Sequence, residues 1–315
     1  SEHLGTDHHE IIARSEDVEK LLPGIIWHLD EPVVDPALFP TYLVSGLARK
    51  HVKVVLTGEG ADELFAGYSD YLIKLKGEQV RRILPAFIRR TAAGFFNGAG
   101  SSGVNLYVRR MLDDTEDHIL WSELFDEDDK RQLYADGFNI EKTDLKTGVY
   151  FKGYTGDALG KMLYVDIKTW LPDDLLVKVD KTTMANSLEA RVPYLDHRLV
   201  EFAMNIPSHL KTKGGVEKYI LRRTAEGLLP RETLVRKKHG FTVPINDWIT
   251  KNLYNMISNT LSESTVKNRG YFKYDRIRHI MDHASNPRYS HQLWSIFTLE
   301  LWHRIYMDNI KPEKL

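Results

Sequence analysis

The chain has 315 residues, with 43 Lys and Arg against 44 Asp and Glu, so its formal net charge is −1. Hydrophobic residues make up 42% and charged residues 28%, which is ordinary for a soluble globular protein; near-neutrality argues against nucleic acid as the main partner, because phosphate neutralisation needs a basic excess. There is no Cys, which excludes disulfides, thiolate metal sites and a cysteine nucleophile within these residues and fits a cytoplasmic protein, and no apolar run reaches the length that spans a bilayer.

In chain order, Ser1-Glu2-His3-Leu4-Gly5 reads as the end of a helix with Gly5 as its C-cap. His8–Ile12 is a weak strand candidate, and the adjacent histidines His8 and His9 point opposite ways in a strand and match no HExxH spacing. Ser15-Glu16-Asp17 predicts an N-cap, followed at helical spacing by Val18, Leu21, Leu22, Ile25 and Ile26. Asp30 to Pro40 reads as a Pro-broken loop, and a second helix is expected from about Thr41 to Lys50. Val52–Leu56 is a short β-branched run, expected to be a buried, central parallel strand. This alternation predicts a doubly wound α/β sheet. After Tyr68 helical periodicity dominates, so the fold class is α/β but mostly helical. The first fifty or so residues resemble a segment that starts inside a domain, since a doubly wound sheet ordinarily has more strands.

Charge is uneven. Asp113–Asp129 holds nine acids and no Lys or Arg, interleaved with Ile119, Leu120, Trp121, Leu124 and Phe125, which predicts a helix with a solvated acidic face. Lys211–Lys238 holds nine Lys and Arg against three Glu; it is a candidate for meeting an anionic substrate, with a plain basic surface as the alternative. The glycine-rich Gly98–Gly103 follows no strand and ends in no Lys-Ser/Thr, so it reads as a connector.

Three segments carry candidate chemistry. Leu56-Thr57-Gly58-Glu59-Gly60-Ala61-Asp62-Glu63-Leu64-Phe65-Ala66-Gly67-Tyr68 directly follows the strand, where open α/β sheets bind ligands. Asp62 and Glu63 are explained equally well by acids at a helix N-terminus, but Glu59 between two glycines is not. Clustered carboxylates there suit Mg²⁺ on phosphates, which takes one or two protein carboxylates. Leu171 to Asp196 follows, where Asp180, Glu189 and Arg191 are expected to form buried ion pairs that shape a pocket or a structural network. In Gly214-Gly215-Val216-Glu217-Lys218, a diglycine loop opens a helix closing near Gly227 and Pro230, with Lys218 in its first turn, where the dipole disfavours a cation. A local rule broken in this way points to function, here to an anion.

These segments in this order resemble the synthetase domain of the glutamine-hydrolysing asparagine synthetase family. Thr57–Tyr68 is similar to its (S/T)GEG(A/S)DE(L/V)F(A/G)GY segment, Ser187–Asp196 (SLEARVPYLD) to its SLEARVPFLD, and Leu4–Glu10 to its LGTxHHE. Gly214–Leu221 and Lys237–Pro244 (KKHGFTVP) are similar to its later motifs. The resemblance implies an adenine nucleotide alpha hydrolase-like parallel sheet, incomplete in this chain and covered by many helices. It divides the chain into a partial nucleotide-binding α/β region (1–68) and a mostly helical remainder of the same domain (69–315).

It further implies MgATP-dependent activation of aspartate as β-aspartyl-AMP and amidation by glutamine-derived ammonia. The cofactors implied are ATP and Mg²⁺; no nucleic acid or membrane partner is implied, and a homodimer is compatible with it. Carried over by this resemblance, Thr57 and Gly58 contact the nucleotide, Asp62 holds Mg²⁺, and Glu59 and Lys218 are catalytic. Glu189 and Arg191 shape the pocket. The family's SGGxDS pyrophosphatase loop and catalytic Cys are not in this sequence, so the chain resembles the C-terminal portion of a longer enzyme, or a remnant of one, and is expected to lack synthetase activity by itself. Relatives that close a β-lactam or amidate another carboxylate, and a non-catalytic scaffold module, are the alternatives.

Overall fold

A computed structural model of the chain describes residues 1–83, 85, 87–88, 91, 124–138, 146–237, 240–241 and 243–315. Most described residues are helical, and the sheet among them has two parallel strands.

Helix α1 (Ser15–Leu29) follows the predicted periodicity: Val18, Leu22, Ile25, Ile26 and Leu29 are buried. Its N-cap is Arg14, not Ser15, and no side chain caps it; Glu16 and Asp17 in the first turn supply the favourable charge instead. Helix α2 (Leu38–Arg49) starts earlier than the expected Thr41 because Pro40 falls in its first turn, where a missing N–H costs nothing. At the start of the chain Thr6 N–H donates to Ser1 O and Gly5 N–H to Glu2 O, and Gly5 has φ 61. That is a Schellman closure, as the C-cap reading required. His8–Ile12 forms no strand among the described residues; Ile11 and Ile12 are exposed, and no backbone there pairs with it.

Strand β1 (Val54–Leu56) pairs in parallel with β2 (Glu189–Arg191), Val54 opposite Glu189 and Leu56 opposite Arg191. The expectation of a buried, central strand is corrected. β1 has one neighbour among the described residues, and only the face carrying Val55 and Ala190 is partly covered, while Leu56 is 73% exposed. After β1 come helix α3 (Ala61–Phe65) and helix α4 (Ser69–Ile83).

The main core joins distant segments. Apolar residues of α1 and α2 pack with Ile245, Trp248, Ile249 and Leu253 and with the helix Pro287–Tyr306. Indole N–H groups fasten that last helix to the loop between α1 and α2: Trp294 donates to Val34 O at 3.0 Å and Trp302 to Asp30 O at 2.9 Å. A smaller cluster holds Ala66, Tyr71, Leu159 and Met162, and another holds Leu64, Phe65 and Ala203. The second anchors α3 through Leu64 and Phe65, and the first holds Ala66, its C-cap.

The acidic stretch is only partly described: Asp113–Glu123 and the Gly98–Gly103 connector lie outside the described residues. At its described end Asp128 is exposed, as a solvated face requires, but Asp126 and Asp129 are drawn into the fold. Asp126 and Asp129 form a capping box on the helix Glu127–Leu133, and the buried Asp129 accepts from Arg276 at 3.1 Å and also from Arg288. Among the described residues no helix is long and apolar enough to cross a membrane.

Candidate active site

Parallel pairing continues one step past β1: Thr57 N–H donates to Arg191 O at 2.9 Å. The chain then turns through Gly58, Glu59 and Gly60 into α3. Gly60 is required on two counts. Its φ is 87, and a Cβ there would lie 2.3 Å from Leu195 Cδ2. Glu59 therefore sits in the turn at the carboxyl end of the strand, half-buried, as the sequence predicts. Thr57 Oγ1 is buried with no hydrogen-bond partner among the described residues, and the space beside Gly58 is open. An orphaned hydroxyl next to bare backbone suits a bound polar ligand such as a nucleotide.

Asp62 lies in the first turn of α3 and meets Lys218 at 3.0 Å, both side chains about four-fifths buried. Two motifs far apart in sequence are thus joined. Lys218 is not in the first turn of its helix: it is the N-cap of Tyr219–Thr224, in the left-handed region at φ 51. The dipole argument therefore weakens, and backbone strain takes its place as the local cost. Gly67 makes room for the pair. A Cβ on it would fall 1.9 Å from Asp62 Oδ1 and 2.2 Å from Lys218 Cε. Ala66 at φ 56 and the Gly67 N–H bond to Asp62 O, at 2.9 Å, fold the chain back over the carboxylate.

A cavity of about 270 Å³ is lined by Asp62, Gly67, Glu217, Lys218, Arg222, Thr233, Arg236 and Lys237. Four cations face two carboxylates there. Among the described residues no group of three or more His, Asp or Glu could enclose a metal ion. Asp62 and Glu217 are the carboxylates of the cavity; a single carboxylate can serve Mg²⁺ that takes its other ligands from phosphates and water.

Sequence reasoning missed two buried constellations. Glu63, 1% exposed, accepts from the Tyr68 hydroxyl at 2.5 Å, and burial pushes its carboxyl up to about 7 despite that bond. The second is assembled by a π-helical turn, Leu171–Leu176, leading into the helix Val177–Met184; such turns often mark functional sites. It places Asp174 and Lys178 within electrostatic reach of Glu59. Lys178 is buried and donates to Asp35 Oδ2 at 2.5 Å. Burial pulls its ammonium down, but the charge and hydrogen bond of Asp35, helped by Asp174 and Glu59, hold it above its ordinary value. Burial, then repulsion from Asp35, pushes Asp174 up to about 7, and its Oδ2 has no hydrogen-bond partner among the described residues.

The expected buried network of Asp180, Glu189 and Arg191 does not form. Glu189 and Arg191 pair with each other at 2.8 Å with both side chains more than half exposed, and Asp180 is exposed. A two-residue step along a strand puts both on the same, uncovered face. The segment Lys237–Pro244 is described only in part, and Lys238, His239 and Thr242 lie outside the described residues.

Comparison with known proteins agrees with this geometry. Residues 1–304 match the family model for asparagine synthase. The chain is 37% identical to asparagine synthetase [glutamine-hydrolyzing] 1 of Bacillus subtilis over 99% of its own length and 50% of the relative's. It is 35% identical to a putative asparagine synthetase [glutamine-hydrolyzing] of Mycobacterium bovis over 98% of its length and 48% of the relative's. It is also 24% identical to the amidase chyE of Penicillium rubens over 89% of its length and 46% of the relative's. The chain thus spans about half the length of these curated relatives. With that family match over residues 1–304, and with its Thr57–Tyr68 and Gly214–Leu221 motifs joined at one cavity by Asp62 and Lys218, the chain belongs to the asparagine synthase family.

Proposed function

We propose that this chain is the C-terminal portion of an asparagine synthetase, carrying one wall of a site that adenylates the side-chain carboxylate of aspartate. The observation that supports the reading is the Asp62–Lys218 pair at the cavity, with Asp62 following the Glu59 turn directly in the chain. In the reaction, a carboxylate oxygen attacks the α-phosphorus of ATP and pyrophosphate leaves. Glutamine-derived ammonia then attacks the acyl carbon and AMP leaves. Thr57 and the bare backbone of Gly58 bind the nucleotide. Asp62 holds Mg²⁺, which when bound offsets charge on the phosphates. Glu59 supports formation of the acyl-adenylate and takes a proton from the attacking ammonia. Lys218, fixed by Asp62, is a preorganised positive group where charge develops on the reacting phosphate.

The 315 residues by themselves should not turn over, because the sequence holds no SGGxDS loop to cradle the pyrophosphate. Pyrophosphate release is measured with aspartate, MgATP and ammonium. The expected result is no aspartate-dependent release; turnover on the order of 1–10³ s⁻¹, the ordinary range for enzymes, would overturn this part of the reading.

A further inference from the structure

Lys218 stands in a loop that holds it against its own backbone preference. Lys213 and Val216 pair with each other around Gly214 and Gly215, whose φ values of 59 and 79 close a two-residue turn. Two residues later Lys218 takes φ 51 as the N-cap of the helix Tyr219–Thr224, with no side chain capping that end. A left-handed lysine persists only where its surroundings fix it. Arg222 supplies such a fixing. Its backbone N–H donates to Lys218 O at 2.9 Å and its Nε donates to Glu217 O at 2.9 Å, so the peptide carbonyls on both sides of the Lys218 Cα are held by one residue. Its Nη1 donates to Arg236 O at 3.0 Å and to Leu234 O, which ties the loop to the end of the helix Arg231–Val235. A planar guanidinium serves separate acceptors at fixed angles, which a flexible ammonium does not. The tolerance at the far end of the lysine is small. A Cβ on Gly67 would fall 2.2 Å from Lys218 Cε, and Nζ meets Asp62 at 3.0 Å.

We propose that Arg222 is a positioning residue for Lys218: its guanidinium fixes the loop so that the Lys218 ammonium stays on Asp62. The catalytic consequence rests on the function proposed above. A displacement of about 1 Å in a group that meets developing charge is enough to cost about a hundredfold in rate.

The test uses an intact enzyme carrying this chain. Reductive methylation of lysines, read by peptide mass spectrometry, reports the position of Lys218 independently of activity. In the wild type Lys218 should label slowly. In Arg222→Met it should label about tenfold faster or more, as local opening exposes it, while Lys211, 1% exposed, stays protected. Equal labelling of Lys218 in the two proteins would overturn the proposal. So would release of Lys211 along with Lys218, because Arg222 would then support the fold at large. In synthesis kinetics, Arg222→Met should lower kcat about ten- to a hundredfold and leave the KM values for ATP and aspartate within about twofold, the signature of an interaction felt only in the transition state. In the Lys218→Ala background the same change should cost nothing further. Arg222 lines the cavity, so direct contact with substrate would appear as an equal loss in both backgrounds, and that result would also overturn the proposal. Arg222→Lys keeps the charge but not the planar fork; it should behave like Arg222→Met, and full recovery would contradict the positioning role. Arg223→Gln, exposed and paired with Glu226 at 2.6 Å, should leave both readouts unchanged. Absence of aspartate-dependent synthesis in the wild-type enzyme would sink the proposed function and leave the labelling pattern to decide the positioning.

Discussion

In an intact enzyme carrying this chain, Lys218→Ala should cut the rate of synthesis by roughly 10²–10³-fold, the scale of removing one preorganised donor to a developing negative charge. Glutamine hydrolysis should continue. The stability cost should be modest. Lys218 has a half-matched role in the fold: it pairs with Asp62 at 3.0 Å, yet it holds a left-handed backbone at φ 51. Loss of a charge-assisted bond costs about 1.5–3 kcal/mol. Lys218→Gly removes the same ammonium but accepts positive φ without a Cβ clash, a difference of roughly 1 kcal/mol. The glycine variant should therefore have a higher urea midpoint than the alanine variant and an equally low rate of synthesis. If synthesis instead tracked the midpoint across the two variants, Lys218 would be structural.

Lys178→Met should be the most destabilising single change around the site, by about 3–5 kcal/mol at pH 8, because it leaves a carboxylate buried without its partner. Asp35 loses its ammonium at 2.5 Å, and Asp174 and Glu59 lose the charge they share. The effect should shrink as pH falls. Asp174 in the folded chain already titrates at about 7 against 3.8 ordinarily. A raised acid pKa means stability that is present at low pH and lost as pH climbs through that window. Removing Lys178 takes away an attraction that holds Asp174 down, so the folded carboxyl rises further and the loss deepens above pH 7. Urea midpoints of wild type and Lys178→Met at pH 5.5 and pH 8 check this: the gap should be wider at pH 8. An equal gap at both values would mean that Asp174 is not coupled to Lys178.

How far the sequence reached depends on the distance over which each feature is encoded. α1 was legible because its buried face repeats every three to four residues, and the Gly60 turn because a strand feeds two glycines around an acid. Gly5 carried its own closure. β2 was hidden because its three residues are Glu, Ala and Arg, and a charged strand on an uncovered face has no apolar signature. The same charges suggested buried ion pairs at Glu189 and Arg191, where the solvent in fact reaches both. The Lys178–Asp35 bond spans 143 positions and depends on a π-helical turn, neither of which local periodicity encodes. Nor could spacing show that Gly67 is small because Asp62 and Lys218 occupy the place of its side chain; that requires the third dimension.

Glu59 carries the central claim, since it is the acid held between two glycines in the turn at the end of β1. The most direct measurement is aspartate-dependent exchange of labelled pyrophosphate into ATP by an intact enzyme carrying this chain, compared between wild type and Glu59→Gln. Exchange should be robust in the wild type and lost in Glu59→Gln, with glutamine hydrolysis and the urea midpoint both preserved. Exchange at the wild-type rate in Glu59→Gln would contradict the account.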